Sequence, residues 1–336
     1  MSIPTTRLGR TGLTVSRLAL GTMTFGLQTD EATSFRILDK ATEGGINFLD
    51  TADVYPLGGT VETAGRTEEI IGRWLNGKGG SRRSEFILAT KAANKVGPNP
   101  WDQGNSRKHL LDAIDLSLKR LQTDHVDLYQ LHHNDPHTPL DESLEALDTI
   151  VRSGRARYIG VSNFLAYRLA RAIGRTELHK LTKLVSVQPR YSLLFREIER
   201  ELLPLADEDG IGVIPYNPLA GGMLTGKYKP GSKPEDQTRF TLGTAGAMYQ
   251  DRYWNDRSFA TIAQLHALAD EAGVPLATLA VAWVMANPLI TAPLLGASRP
   301  EQLDATLAAA EYKLDPALKL KLDELTAEYR KGDAPR

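Results

Sequence analysis

The chain has no cysteine among its 336 residues. Disulfides, thiolate nucleophiles and thiolate metal ligands are thereby excluded, and a cytoplasmic location is expected. An excess of either charge is missing too. Forty basic residues (40) face 41 acidic ones, for a formal net charge of -1. Nucleic acid is not expected as a partner, because neutralising phosphates needs a clustered basic surface. The opening segment, Met1 to Arg7, lacks an apolar core and a cleavage site, so it does not read as a signal peptide. No apolar run is long enough to span a bilayer. Residues 272–298 carry no charge, but Pro275, Asn287, Pro288 and Pro293 divide them, and a span needs about 20 unbroken apolar residues. A helix over 275–287 and a buried strand over 291–295 are expected instead, with no membrane partner.

Two nucleotide-binding signatures are absent. The first strand is followed by Gly21-Thr22-Met23-Thr24-Phe25-Gly26, which lacks the Gly-x-Gly-x-x-Gly spacing of a dinucleotide turn in an open sheet. The run from Gly221 to Tyr228 approaches a phosphate loop, but Tyr228 stands where Ser or Thr would ligate magnesium. No metal is expected at His132-His133-Asn134-Asp135-Pro136-His137. Adjacent strand residues point to opposite faces, and a closed zinc site needs about three or four converging ligands.

Apolar runs do alternate with amphipathic segments along the whole chain. Strands are expected over 18–20, 46–49, 86–90, 126–131, 156–161, 184–187, 212–215 and 292–295. Helices are expected over 30–43, 67–77, 106–121, 140–153, 164–175 and 198–209. Leu110, Ile114, Leu118 and Leu121 keep one face of the third helix apolar, as a core-facing helix requires. Eight strands with intervening helices predict an α/β fold, a (β/α)8 TIM barrel formed by one domain over residues 1–336. Segments 6–8 and 13–15 flank a Gly-rich turn and predict a hairpin that plugs the barrel floor. Residues 92–105 and 217–257 form the longest irregular stretches, and long loops in compact domains are mostly functional. Glu68-Glu69 and Lys319–Lys321 read as solvated helix faces.

Three strands end in residues that carry chemistry. Phe48-Leu49 runs into Asp50, with Tyr55 five positions on. Residues 86–90 run into Lys91, and 126–131 into His132. In a parallel barrel these ends converge on one face. A phenol is a poor acid near neutrality, and a neighbouring ammonium favours its ionised form. Asp50 would keep Lys91 charged, and His132 would hydrogen-bond a carbonyl oxygen. The alternative is a purely structural ion pair between Asp50 and Lys91.

The segments Gly45–Tyr55, Ala89-Thr90-Lys91, Leu128–His133, Gly160–Phe164, Val187-Gln188 and Gly296–Arg299 resemble the aldo-keto reductase family, in order, from about residue 5 to 330. The resemblance implies an NADPH-dependent reductase of aldehydes or ketones. Tyr55 would be the general acid, Lys91 and Asp50 its tuning pair, and His132 the group that orients the carbonyl. Ser162, Asn163 and Gln188 would hold the nicotinamide carboxamide, with Tyr216 stacked on the ring. Thr22, Met23 and Asn217 would also meet the cofactor. Leu219, Gly221, Leu224 and Lys227 match the segment over the pyrophosphate. Gly296, Ser298, Arg299 and Gln302 match the adenosine phosphate end. An arginine there suits a 2′-phosphate. Thr306 replaces the usual asparagine of the adenine pattern. His133 and Trp101 are candidates for the substrate pocket, together with loops 92–105 and 217–257 and the tail beyond Asp315. The family default is a monomer. Two rivals are a cofactor-binding regulatory subunit with slow turnover, as in potassium-channel beta subunits, and a lyase or isomerase using Lys91 as a Schiff base.

Overall fold

A computed structural model describes residues 3–77, 80–236 and 238–331. Met1 and Ser2 of the opening segment lie outside the described residues. A hairpin comes first, with β1 (Thr5–Arg7) antiparallel to β2 (Thr14–Ser16). Eight parallel strands follow: β3 (Ala19–Gly21), β4 (Phe48–Asp50), β5 (Ile87–Ala92), β6 (Val126–Leu131), β7 (Ala156–Ser162), β8 (Leu184–Gln188), β9 (Gly212–Val213) and β10 (Leu294–Gly296). Their order is β10-β3-β4-β5-β6-β7-β8-β9. The ring closes beside β9, where Thr291 N–H donates to Val213 O at 2.8 Å and Leu294 N–H donates to Pro215 O at 2.8 Å. The expected (β/α)8 barrel is the observed fold. Strand β9 is shorter than expected, because Pro215 ends its ladder.

The helices are α1 (Glu31–Glu43), α2 (Arg66–Leu75), α3 (Arg107–Leu121), α4 (Leu140–Arg152), α5 (Ala166–Leu178) and α6 (Leu202–Asp209). After them come α7 (Gly246–Tyr253), α8 (Asp256–Glu271), α9 (Leu276–Met285), α10 (Leu303–Leu307) and α11 (Pro316–Leu325). Local chemistry sets the ends. The Asp30 side chain accepts from Thr33 N–H at the start of α1, and the Ser106 side chain accepts from His109 N–H at the start of α3. The sixth helix begins at Leu202 rather than 198, after a separate 3-10 turn at Glu197–Glu199. Helix α9 is buried from Leu276 to Val284, which explains the uncharged run as a core helix. Among the described residues no single helix is long and apolar enough to cross a membrane, and α8 and α9 meet at a 92° bend.

The barrel interior is layered. Phe48, Ala89 and Leu128 form one buried cluster with Leu8 and Val15 of the hairpin, so the hairpin seals the floor. Its tip fits because Gly9 has φ +56° and a side-chain carbon there would sit 2.4 Å from Gly210 O. Two residues further along each strand, the same inward direction is occupied by Asp50, Lys91 and Gln130. The apolar lower layer thus gives way to a polar upper layer at the open end.

Two expectations are corrected. The 217–257 stretch is not irregular throughout. It contains a 3-10 segment at Ala220–Thr225, another at Gly243–Ala245, and α7 (Gln237 lies outside the described residues). Tyr228, Phe240, Tyr249 and Trp254 pack edge-to-face within it, with Phe240 and Trp254 centroids 4.9 Å apart. Glu68 is not on a solvated face. Its side chain is 0% exposed, takes a hydrogen bond from Thr90 at 2.6 Å and pairs with Arg120 at 2.7 Å. It joins α2 to α3 and to β5 beside Lys91.

Replacing Glu68 with Ala leaves the Arg120 charge and the Thr90 hydroxyl without their acceptor. The expected cost is about 3 kcal/mol, at the low end for a broken buried pair because Arg120 stays partly hydrated. Urea unfolding of Glu68→Ala measures it, and a midpoint equal to wild type would refute the structural role.

Candidate active site

The polar layer at the open end is built around Asp50. Its Oδ1 accepts from Lys91 Nζ at 2.5 Å, and its Oδ2 accepts from Gln188 Nε2 at 2.9 Å and Gln130 Nε2 at 3.2 Å. The Lys91 ammonium, with no exposed surface, also donates to Thr51 O at 2.6 Å. Both partners of this pair come from inward positions of adjacent strands, so the pleat alone brings them together. Tyr55 reaches over the pair from the loop after β4. The Lys91 ammonium lies 5.2 Å from the centre of its ring. His132 follows β6 and packs edge-on to Tyr55, with ring centres 5.7 Å apart and planes at 80°.

The electrostatics differ from the sequence expectation for Tyr55. Burial pushes its phenol well above the usual range, and Asp50 adds to the effect, while Arg239 opposes it. The hydroxyl therefore stays protonated. Desolvation outweighs any help the Lys91 ammonium gives to the ionised form. His132 goes the opposite way. Burial, followed by the nearby Lys91 charge, holds its imidazole well below the ordinary histidine range. Asp53, fully buried behind Lys91, is pushed well above the carboxylate range by burial and then by Glu68.

A cleft of about 1180 Å³ runs across this end of the barrel. Of the site residues proposed from sequence, all open onto it except Lys91, Leu224 and Trp101. Lys91 lies behind Asp50. Leu224 is fully buried, and Trp101 stands 52% exposed away from the cleft. His133 does line the cleft, as do Asn94 and Lys95 of the 92–105 loop and Thr244, Met248, Tyr249 and Arg252 of the 217–257 segment. The chain beyond Asp315 contributes no lining residue among those described. It packs on the barrel's outside instead, where Asp323 takes hydrogen bonds from Trp283 Nε1 at 2.8 Å and Arg196 Nη1 at 2.8 Å.

Around Tyr216 the side chains are linked into one net. Its hydroxyl donates to Asn163 Oδ1 at 2.7 Å, Asn163 Nδ2 donates to His132 O at 2.9 Å, and Ser162 Oγ donates to Gln188 O at 2.9 Å. Asn163 holds φ +56° and Asn217 φ +59°, left-handed conformations that asparagine tolerates better than most residues. At the far end Ser298 N–H donates to Gln302 Oε1 at 2.8 Å. Lys227 is held below its usual range by burial and by the Arg299 charge, so two cations crowd there. Thr306 is buried and its hydroxyl donates to Leu303 O at 3.1 Å, away from the cleft. Arg239 was not found from sequence. It lines the cleft, its guanidinium lies 5.5 Å from the Tyr249 ring centre, and its Nη1 is buried without a hydrogen-bond partner among the described residues. It sits in a charged, Gly- and Pro-rich segment with no spacing to mark it. Among the described residues there is no group of three or more His, Cys, Asp or Glu that could hold a metal.

A parallel barrel whose open end gathers a protonated tyrosine, a neutral histidine and an ion-paired lysine beside a long cleft is built like a barrel enzyme. The chain belongs to the aldo/keto reductase family, whose model it matches over residues 17–326, and is an oxidoreductase of that family. It is 44% identical over 325 residues to a Bacillus subtilis protein named uncharacterized oxidoreductase YrpG, covering 95% of both chains. It is 37% identical over 306 residues to a probable voltage-gated potassium channel subunit beta of Arabidopsis thaliana, covering 90% of each. It is 34% identical over 303 residues to the L-glyceraldehyde 3-phosphate reductase of Escherichia coli O157:H7, covering 90% of this chain and 86% of that one.

Since the folded-state value of His132 is depressed, its contribution to stability is present above about pH 6.5 and is lost as pH falls toward the folded value. At pH 6 the His132 ring carbons should still show neutral-form NMR shifts. A half-protonated ring near pH 6.5 would contradict this environment.

Proposed function

We propose that this chain is a single-domain, NADPH-dependent reductase of aldehydes or ketones. The observation that carries the reading is the Tyr55 hydroxyl. It is kept protonated by burial, faces His132, and has the Lys91–Asp50 pair behind it.

The cleft residues suit a phosphate-rich dinucleotide. Lys227 and Arg299 are like charges pressed together, and Arg239 has a buried nitrogen without a partner, so each gains from an anion between them. Gly221, with φ +70°, leaves room that a side-chain carbon would fill 2.7 Å from the Tyr249 ring. Ser162, Asn163 and Gln188 would hold the nicotinamide amide, and Tyr216 its ring. Arg299 with Ser298 and Gln302 would take a 2′-phosphate. Thr306 offers no hydroxyl to the adenine.

When bound, a reduced nicotinamide supplies the hydride. The protein's own residues do the rest. Neutral His132 donates a hydrogen bond to the carbonyl oxygen and polarises it. Tyr55 gives that oxygen its proton as negative charge develops there. The phenolate left behind is stabilised by the Lys91 ammonium, which Asp50 holds in place, its carboxylate held in turn by Gln130 and Gln188. Since the same pair serves the ionised state of Tyr55, the reverse reaction uses the same groups.

The relative named as a channel subunit raises a second reading, a cofactor-binding subunit with slow turnover. The relative named as an aldehyde phosphate reductase favours catalysis.

Tyr55→Phe should lower kcat by a factor of about 10²–10⁴, the usual worth of a positioned acid, while NADPH still binds by fluorescence titration. A Tyr55→Phe enzyme that turns over normally would sink the assignment. Wild type that binds NADPH tightly but reduces no aldehyde, diketone or keto-sugar would shift the reading to the regulatory subunit. Arg299→Ala should raise the Kd for NADPH by roughly tenfold or more, the worth of a lost charge-assisted pair, with little change for NADH. Equal losses for both cofactors would reject the 2′-phosphate role.

A further inference from the structure

Two of the cations that line the cleft, Arg252 and Lys95, have no part in holding the proposed cofactor. Lys227 and Arg299 sit together at one end. Arg239 lies against Gly221, within the segment assigned to the pyrophosphate. Arg252 is left over. It lies on α7, three residues after Tyr249 and four after Met248, so one stripe of the helix carries all three side chains to the cleft. No carboxylate among the described residues pairs with it. Among the charges that act on the Tyr216 hydroxyl that of Arg252 is the largest, and Arg252, Tyr216 and Tyr55 line the same cleft. Lys95, also without an ion pair among the described residues, lines the same cleft, as does His133.

Among the described residues, no acid that lines the cleft forms an ion pair with Arg252 or Lys95. Asp50 is committed to Lys91. Glu235 acts on Lys227 and Tyr228, and Asp236 is its neighbour, while Glu301 stands beside Arg299. Arg252 and Lys95 thus line the cleft without a carboxylate partner among the described residues. A guanidinium kept partly out of water without a counter-ion is unfavourable unless a ligand supplies one.

We propose that the physiological substrate is a small carbonyl compound bearing an anionic group, carboxylate or phosphate, and that Arg252 of α7 binds that group while the carbonyl faces Tyr55. The proposal rests on the reductase reading and names its substrate class. Arg252 is then a specificity-determining residue, with Lys95 adding long-range attraction.

The test compares a short aldehyde with a terminal carboxylate, the same aldehyde with a terminal amide, and one with a terminal phosphate. Wild type should prefer a charged substrate over the amide by at least tenfold in kcat/KM, and the preference should shrink as salt rises. In Arg252→Gln the preference should fall by roughly tenfold or more, as for loss of a charge-assisted bond, with the change in KM rather than kcat. Arg252→Lys should recover part of it. Whichever charged arm loses more identifies the anion. Binding is read separately from turnover, with butyrate, butyramide and inorganic phosphate titrated onto the NADP⁺-loaded and the free protein. Anion binding that depends on Arg252 supports the proposal even if no aldehyde is reduced, a result that would instead count against the reductase reading. Arg252→Gln with the full anionic preference overturns it. So does an Arg252→Gln variant that loses NADPH affinity as much as anion affinity, because the guanidinium then belongs to the cofactor.

Discussion

A lysine ammonium with no exposed surface needs a counter-charge before a barrel can close around it. Asp50 supplies that charge from the neighbouring strand, and the remaining lone pairs of the carboxylate are taken by Gln130 and Gln188. Removing either partner would strand a charge in the interior, at a cost of several kcal/mol. The pair therefore fixes the rim of β4, β5, β6 and β8 relative to one another. Tyr55 and His132 rest on that rim; burial does most to shift both, and the pair adds to it. Asp50 helps hold the phenol protonated, and the ammonium helps hold the imidazole neutral.

A second buried ionic group lies just outside this first one. Glu68 joins Thr90, the residue before Lys91, to Arg120 of α3. The helix layer is thus tied to the strand that carries the lysine, and the polar interior continues from the barrel into its shell. Lys227 and Arg299 crowd each other, Arg239 has a buried nitrogen, and Arg252 lines the cleft from α7. Under the proposed function such a field would draw in anionic ligands.

Much of this was legible in the sequence, for identifiable reasons. The strands from 126 to 188 were placed almost to the residue, since buried parallel strands read as continuous apolar runs. Asp50, Lys91 and His132 were found because each interrupts such a run at its end. Three things were hidden. The burial of Glu68 depends on partners 22 and 52 residues away, and nothing local distinguishes it from Glu69. The direction of the Tyr55 shift depends on how much water reaches it, a property of the assembled loops. Arg239 and Arg252 sit in a segment whose helix α7 is marked by no cap, with Gly246 at its start. The order there comes from aromatic packing, which leaves no periodic trace.

That aromatic packing has a further consequence. Tyr228, Phe240, Tyr249 and Trp254 make the 217–257 segment a small plate with its own interior, laid over a barrel whose end is braced independently by the lysine and its acid. In the proposed function, the groups that move the proton and those that select the substrate would thus sit on different pieces of the chain. Met248 and Arg252 lie on this plate and not on the strands, while Tyr249 and Arg239 of the plate act on Tyr55. Under the proposed function, such a division would let a few substitutions in the plate change the substrate while the strand-borne ion pair stays in place.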